Sequence, residues 1–162
     1  MEKITLQDCI DFNGDFCGGV VIGWIMGNFA MEKLGVKRGD PLYMETEFHN
    51  CMNDPLQLIT GCTLGRENLK IRDIGKRTLI LADCTTGRAV KVKAVPFGTK
   101  EEMLATDPAS ICSFEFVDYD IPKVIKKKHN YIACEICGEE FCEESAVVKN
   151  GRIICPDCAG IQ

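Results

Sequence analysis

One long apolar segment dominates the first part of the chain. Residues 16–31 are almost continuously apolar, and the pattern predicts a helix over residues 20–34. Glycines recur there at every fourth position and leave a stripe without side chains, which favours close packing: Gly19, Gly23 and Gly27. The segment is shorter than the ~20 residues that a membrane span needs, and it contains Asn28. We therefore interpret it as a buried helix and expect no membrane association.

Shorter segments rich in β-branched residues follow, and their spacing predicts a sheet. Strands are predicted over residues 41–48, 68–74, 77–83, 88–94 and 113–119, and short helices over residues 54–60 and 100–104. Strands 77–83 and 88–94 flank the turn sequence Cys-Thr-Thr-Gly, which is typical of a hairpin. The sequence predicts an α+β fold, an antiparallel sheet with packed helices.

A lysine-rich stretch interrupts this pattern and predicts a boundary. Residues 123–129 contain four lysines and no acidic residue, and they end in His129, which we interpret as a solvated linker residue. We therefore predict a first domain over residues 1–122, a basic linker over 123–129 and a small zinc finger over 130–162, of the treble-clef or zinc-ribbon class.

Charge and cysteine content exclude several classes of protein. Residues 1–122 carry 13 basic and 18 acidic residues, and residues 130–162 carry two and six. Because affinity for nucleic acid depends on neutralising phosphates, this distribution argues against a nucleic-acid partner. The eleven cysteines are an odd number with no secretory leader, so a reducing cytoplasm is predicted rather than a secreted disulfide framework.

Two C-x-x-C pairs near the end of the chain predict a metal site. Seventeen residues separate the pairs, and the four cysteines are Cys134, Cys137, Cys155 and Cys158. Two such pairs can aim four sulfurs at one tetrahedral ion, and a shell of four thiolates leaves no position for substrate. We predict structural Zn²⁺, with rubredoxin-like iron and a redox dithiol as alternatives. Cys142 lies outside this spacing, and we interpret it as a free thiol or packing residue.

A second group of cysteines lies in the first domain. Cys17 precedes the glycine-rich helix, where helix N-terminal N–H groups favour a thiolate, and Cys51 and Cys62 flank the next predicted helix. Together with Asp15 they predict a second transition-metal site. A metal-free reactive thiol or small-ligand cleft, and cysteines that only fill the core, are the alternatives.

Several motifs resemble one known family. They are the loop and glycine-rich helix from residue 12 onward, the run C-M-N-D-P-L-Q-L-I-T-G-C-T-L-G-R-E-N-L over residues 51–69, and D-I-G-K over residues 73–76. Over most of residues 8–122 the chain is similar to the FmdE family, which is associated with formylmethanofuran dehydrogenase. The resemblance implies an α+β core, a homodimer, a metal-binding cleft and an accessory relation to a molybdenum or tungsten dehydrogenase of methanogenesis. Members often carry a treble-clef zinc finger.

The chain departs from the family pattern at the loop. The family sequence H-G-H-x-C-P-G keeps its cysteine as Cys17, but its histidines fall on Asn13 and Asp15. Asparagine and aspartate are poorer or harder ligands than histidine, so the second site is expected to bind zinc more weakly, prefer another ion or stand empty. Gln57 and Thr63 are further candidates for contacts to a cofactor or small-molecule ligand in this cleft.

Three functions fit these observations. The first is a metal-binding accessory protein that assists a redox enzyme or holds a small ligand. The second is a regulatory protein whose finger docks a protein partner. The third is an enzyme in which Asp15 serves as general base, although no spacing demonstrates such a role. We favour an accessory or binding protein over a self-sufficient dehydrogenase.

Overall fold

The computed structural model describes residues 3–123 and 129–161, which fall into two compact units, Met1–Val124 and Ile125–Gln162. The larger unit is a mixed α+β fold with a mainly antiparallel sheet, which confirms the predicted fold class. Residues 124–128 of the predicted basic linker lie outside the described residues, so the exact domain boundaries stay a prediction. Within the described residues, no helix is long and apolar enough to cross a membrane.

The first unit contains five helices and five strands among its described residues. The helices are α1 (Leu6–Asn13), α2 (Gly18–Leu34), α3 (Asn53–Thr60), α4 (Lys100–Leu104) and α5 (Pro108–Ile111). The strands are β1 (Leu42–Thr46), β2 (Leu69–Ile71), β3 (Thr78–Asp83), β4 (Ala89–Ala94) and β5 (Cys112–Val117). A 3-10 turn, Leu64–Arg66, precedes β2.

Local signals explain where several of these helices begin and end. Thr5 caps α1 in a reciprocal capping box with Asp8, and Thr99 does the same for α4 with Glu102. Helix α2 ends at Gly35, whose φ of 75° is readily adopted only without a Cβ. The long helix therefore stops where the apolar pattern stops.

The five strands form one sheet in the order β2-β1-β3-β4-β5. The predicted hairpin is present as β3 and β4, with Ile80 opposite Lys91. Strands β1 and β2 are parallel, a pairing that the sequence pattern did not predict. Asn68 supports this edge, because its buried amide donates to the Leu42 carbonyl (3.0 Å) and accepts from the Thr63 N–H (2.9 Å).

Helix α2 lies against the sheet and forms the centre of the core. It contacts α1, α3 and α4 as well as β3, β4 and β5. Val20, Val21, Met26 and Ala30 are fully buried. A helix that is apolar on nearly all sides belongs inside a fold, and the prediction of a buried helix is confirmed.

Strand β1 and the residue after it carry two buried carboxylates, Glu45 and Glu47. Arg72 forms an ion pair with each of them, and Lys70 Nζ lies 3.1 Å from Glu45 Oε2. The Tyr119 hydroxyl donates to the same oxygen at 2.9 Å. The turn that carries the D-x-G-K motif is held to this edge at the Glu47 carbonyl, which accepts two backbone N–H groups from residues 74 and 76. These contacts satisfy the buried charges.

The second unit is a small finger built from two hairpins. Its elements are β6 (Tyr131–Ala133), β7 (Glu140–Cys142), a 3-10 turn (Glu143–Ser145), β8 (Val147–Lys149), β9 (Arg152–Ile154) and α6 (Pro156–Ala159). The hairpin of β8 and β9 turns at Asn150 and Gly151, both with positive φ as a type I′ turn requires. That hairpin was predicted from the sequence, whereas the β6–β7 hairpin was not.

Candidate metal centres in the two units

The four finger cysteines come together at one point. Cys134 follows β6, Cys137 lies in the next turn, Cys155 follows β9, and Cys158 lies on α6. Their ligand atoms all lie within 4.8 Å of one another, and the Cys137 and Cys155 sulfurs are 3.9 Å apart. A tetrahedral zinc ion with Zn–S bonds of about 2.3 Å separates its sulfurs by about 3.8 Å. The cluster therefore has the dimensions of a four-thiolate metal site.

Backbone N–H groups favour one of these cysteines as a thiolate. Hydrogen bonds from the backbone, that of Cys137 first, lower the pKa of Cys134 to about 6. The N–H groups of Ile136 and Cys155 lie 3.5 and 3.3 Å from the Cys134 sulfur. In contrast, a hydrogen bond with Cys155 raises the pKa of Cys158 to about 12. Four thiolates repel one another without a cation, so metal binding here would release protons.

The finger has little other means of staying folded. The buried hydrophobic residues among its described residues are Cys134, Ile154 and Cys155, with Phe141 and Val147 packed beside them. Only Ile154 is a large side chain that is fully buried. A core of this size falls well below what an independent domain needs, so the cysteine cluster is where the stabilising energy has to come from.

In the first unit, Cys17 and Cys51 form a close pair. Cys17 caps α2, Cys51 lies in the turn before α3, and their sulfurs are 3.2 Å apart. This separation is longer than a disulfide bond, about 2.05 Å, and shorter than the ~3.8 Å of two sulfurs on one zinc ion. Burial, and then the hydrogen bond with Cys17, raise the pKa of Cys51 to about 11. The pair is therefore a hydrogen-bonded dithiol close to either geometry.

The glycine stripe makes this approach possible. A Cβ at Gly19 would overlap the Cys51 sulfur, and a Cβ at Gly23 would overlap the Met52 carbonyl oxygen. A Cβ at Gly27 would touch side-chain ends on α3, with a nearest contact of 3.0 Å. The stripe thus brings the start of α3 against α2 at backbone distance, which positions Cys51 beside Cys17.

The other two residues of the predicted second site do not join this pair. Among the described residues, no further Cys, His, Asp or Glu ligand atom lies within 4.8 Å of both sulfurs. Cys62 follows the far end of α3, and eight helical residues span about 12 Å. It is fully buried, which raises its pKa to about 11, whereas Asp15 is exposed. The expectation that all four converge was wrong for this structure, because helix α3 separates Cys51 from Cys62.

Asn13, at the position of a family histidine, has a structural contact. Its amide donates to Asp54 Oδ2 at 2.6 Å and so ties the end of α1 to the start of α3. The loop between α1 and α2 is also held by Lys100, whose Nζ donates to the Phe16 carbonyl at 2.6 Å and lies 4.2 Å from the Phe16 ring centroid. No local sequence signal indicated this role for Lys100, because the two residues are far apart in the chain.

The first unit matches a family model described as FmdE, molybdenum formylmethanofuran dehydrogenase operon, over residues 12–119. The chain belongs to the FmdE family. A crystal structure of an FmdE-like protein of tungsten formylmethanofuran dehydrogenase, from Syntrophus aciditrophicus, has the same fold, with a TM-score of 0.72 and 24% identity. The alignment covers 96% of this chain and 90% of that chain. The resemblance predicted from the motifs is thereby confirmed.

A curated relative outside this naming pattern is also similar. A probable S-adenosyl-L-methionine-binding protein of Archaeoglobus fulgidus is 36% identical over 88 residues, which are 51% of this chain and 24% of that protein. The chain therefore spans about a quarter of the length of this relative.

The two further candidates of the FmdE-like cleft take part in local structure. The Gln57 carbonyl accepts the N–H of Gly61 at the end of α3. The Thr63 hydroxyl accepts the N–H of Arg66 and so caps the 3-10 turn before β2. A ligand-binding role for Gln57 and Thr63 stays a prediction.

Proposed function

We propose that this chain is a metal-binding accessory protein of the FmdE type, with one structural Zn²⁺ ion in its finger. The observation that carries the proposal is the convergence of four cysteine sulfurs, with one pair 3.9 Å apart. An all-thiolate set favours zinc or iron over magnesium or calcium, and zinc is the usual ion of closed structural sites. When bound, the ion supplies folding free energy and no open coordination position.

Chelation of the full chain tests the structural role of the metal. We expect about one tightly held zinc per chain at Cys134 and its partners, and its removal should expose residues 130–161 to protease. Trp24, the single tryptophan, lies in α2 and reports separately on the first unit. Its fluorescence should stay native. Cys134→Ser should reproduce the loss, and Cys84→Ser, at an exposed thiol, should not. A finger that resists protease after complete zinc removal would contradict the proposal.

We further propose that the Cys17–Cys51 dithiol is the ligand-binding part of the first unit. Both thiols are partly buried and 3.2 Å apart, and two sulfurs are the start of a site for a soft transition-metal ion. Cys17→Ser should remove one equivalent of thiophilic metal, tested with Co²⁺ and Cu⁺, while Cys84→Ser keeps it. Equal metal content in wild type and Cys17→Ser, above the finger zinc, would rule out a metal role.

S-adenosyl-L-methionine is the second ligand to test at this unit. The support is the identity with the Archaeoglobus fulgidus relative, which covers 51% of this chain. Calorimetric titration of the full chain should show saturable binding if this relation extends to the ligand. Absence of heat at millimolar ligand, with folded protein confirmed by Trp24 fluorescence, would remove this candidate.

A protein partner fits the finger better than nucleic acid. The finger is acidic, and several of its large apolar side chains are exposed: Tyr131, Ile136, Val148, Ile153 and Ile161. We propose that the partner is a component of a redox enzyme, that the chain itself is a homodimer, and that both act in a reducing cytoplasm. Light scattering tests the dimer, and polarisation with labelled duplexes at low salt tests the partner class. Tight, sequence-selective binding of DNA or RNA would reverse the preference.

The isolated chain is not proposed to be a dehydrogenase. At 162 residues it is too small to contain a molybdopterin-bearing catalytic domain in addition to the folded units described here. We expect no oxidation of formylmethanofuran by the purified chain. Turnover that copurifies with the chain, and that Cys17→Ser abolishes, would show that it is an enzyme in its own right.

A further inference from the structure

A second cluster of three unlike ligands lies in the finger, apart from the four-cysteine site. Its members are His129, Cys142 and Glu144, whose ligand atoms all lie within 4.8 Å of one another. The sequence offered no spacing motif for it, and it shares no residue with the four-cysteine group. We propose that this cluster is a second metal site of the finger, specific for borderline divalent ions of the Zn²⁺ class.

The β6–β7 hairpin brings these three side chains together. Tyr131 pairs with Cys142, and the same antiparallel register continued by two residues places His129 opposite Glu144. The backbone supports the continuation, because the N–H of Glu143 donates to the carbonyl of Asn130 at 2.9 Å. Side chains that are opposite or two positions apart on an extended hairpin share a face. The cluster is thus placed by strand pairing.

The distances fit a shared ion better than a direct contact. His129 Nδ1 lies 3.6 Å from Cys142 Sγ and 3.6 Å from Glu144 Oε2. Tetrahedral zinc with Zn–N and Zn–O bonds near 2.1 Å and a Zn–S bond near 2.3 Å separates its ligands by about 3.4 to 3.6 Å. A direct hydrogen bond from the imidazole to a carboxylate is about 2.7 to 3.2 Å. One ring nitrogen faces both partners, as it must to ligate between them.

The donor set restricts which ion can bind. One imidazole, one thiolate and one carboxylate suit zinc, cobalt or nickel, whereas magnesium and calcium prefer an all-oxygen shell. The finger carries an excess of acidic residues, which also favours a cation. Three protein ligands leave a fourth tetrahedral position for water or an incoming group. Because the His129 and Glu144 side chains are 37% and 51% exposed, the ion should exchange with solution.

Metal titration of the full chain tests this site directly. The chain is first loaded with zinc, excess metal is removed with a weak chelator, and Co²⁺ or Zn²⁺ is titrated in by calorimetry. Wild type should bind one reversible equivalent that His129→Gln, Cys142→Ser and Glu144→Gln each bind at least about tenfold more weakly. Glu143→Gln, at the exposed neighbouring carboxylate outside the cluster, is the matched control and should bind as wild type does.

A ring-nitrogen NMR spectrum separates this site from the other two. On addition of the same equivalent, the His129 ring resonances should shift, and they should shift equally in Cys17→Ser. The proposal is overturned if His129→Gln and Glu144→Gln both retain wild-type affinity within about twofold, or if the His129 ring does not respond at saturating zinc. These outcomes do not depend on a metal at Cys17 and Cys51, and because His129→Gln alters an exposed side chain, the finger should remain folded for the comparison.

Discussion

Replacement of Gly23 by alanine tests the backbone contact that positions the Cys17–Cys51 pair. A Cβ at this position would overlap the Met52 carbonyl oxygen and lie 3.0 Å from both its carbonyl carbon and its Cα. All three atoms belong to the backbone at the start of α3, so rotation of a side chain cannot relieve the overlap. The two helices would have to separate, which weakens the packing along the whole stripe.

The expected magnitude follows from two opposing terms. Overpacking that forces a backbone shift costs about 1 to 3 kcal/mol, and a clash with backbone belongs at the upper end. Alanine is favoured over glycine in a helix by about 1 kcal/mol. Gly23→Ala should therefore destabilise the first unit by about 2 kcal/mol.

Two other glycines of the same helix serve as matched controls. At Gly18 a Cβ would meet nothing within 4 Å, so Gly18→Ala should be neutral or stabilising by up to about 1 kcal/mol. At Gly27 a Cβ would meet the ends of Ile59 and Leu56 at 3.0 and 3.1 Å, and these can move. Gly27→Ala should therefore lie close to wild type, between the other two variants.

Denaturant unfolding followed by Trp24 fluorescence measures this series in the first unit alone, with zinc held in excess to keep the finger unchanged. The expected order of stability places Gly18→Ala highest and Gly23→Ala lowest. If Gly23→Ala were as stable as Gly18→Ala, α2 and α3 would not meet at backbone distance, and the placement of Cys51 beside Cys17 would lose its basis.

Three further predictions concern buried groups. Asn68→Ala removes two hydrogen bonds to backbone groups at the sheet edge, and should lower the free energy of unfolding by about 3 kcal/mol in the same assay; a change below about 1 kcal/mol would contradict this. Burial, and then the hydrogen bond to Glu45, raise the pKa of Tyr119, so its stabilising effect is complete below its unfolded pKa of about 10 and is lost as pH rises further. The stability difference between wild type and Tyr119→Phe should thus be constant to about pH 9 and shrink above pH 10, whereas a constant difference throughout would refute it. Ile154→Ala should cost the finger at least about 2 kcal/mol, seen as Zn²⁺ affinity about 30-fold weaker in chelator competition, and unchanged affinity would show that finger folding and zinc binding are not linked.

The sequence alone determined the features that depend on neighbouring residues. The β3–β4 hairpin, the Asn150–Gly151 turn and the end of α2 at Gly35 follow from local periodicity and from glycine's access to positive φ. The grouping of the finger cysteines was also readable, because each C-x-x-C pair is a local knuckle. The family was recognisable from motifs along residues 12–76.

Only the tertiary structure decided which distant side chains meet. By sequence Cys62 was as good a partner for Cys51 as Cys17 was, but α3 places its length between them. His129 and Cys142 carried no motif, yet a hairpin register brings them to 3.6 Å. The physical reason is the same in both cases. Local chain geometry is encoded over a few residues, whereas a contact between separated segments depends on how whole elements pack, and that packing is settled by the core.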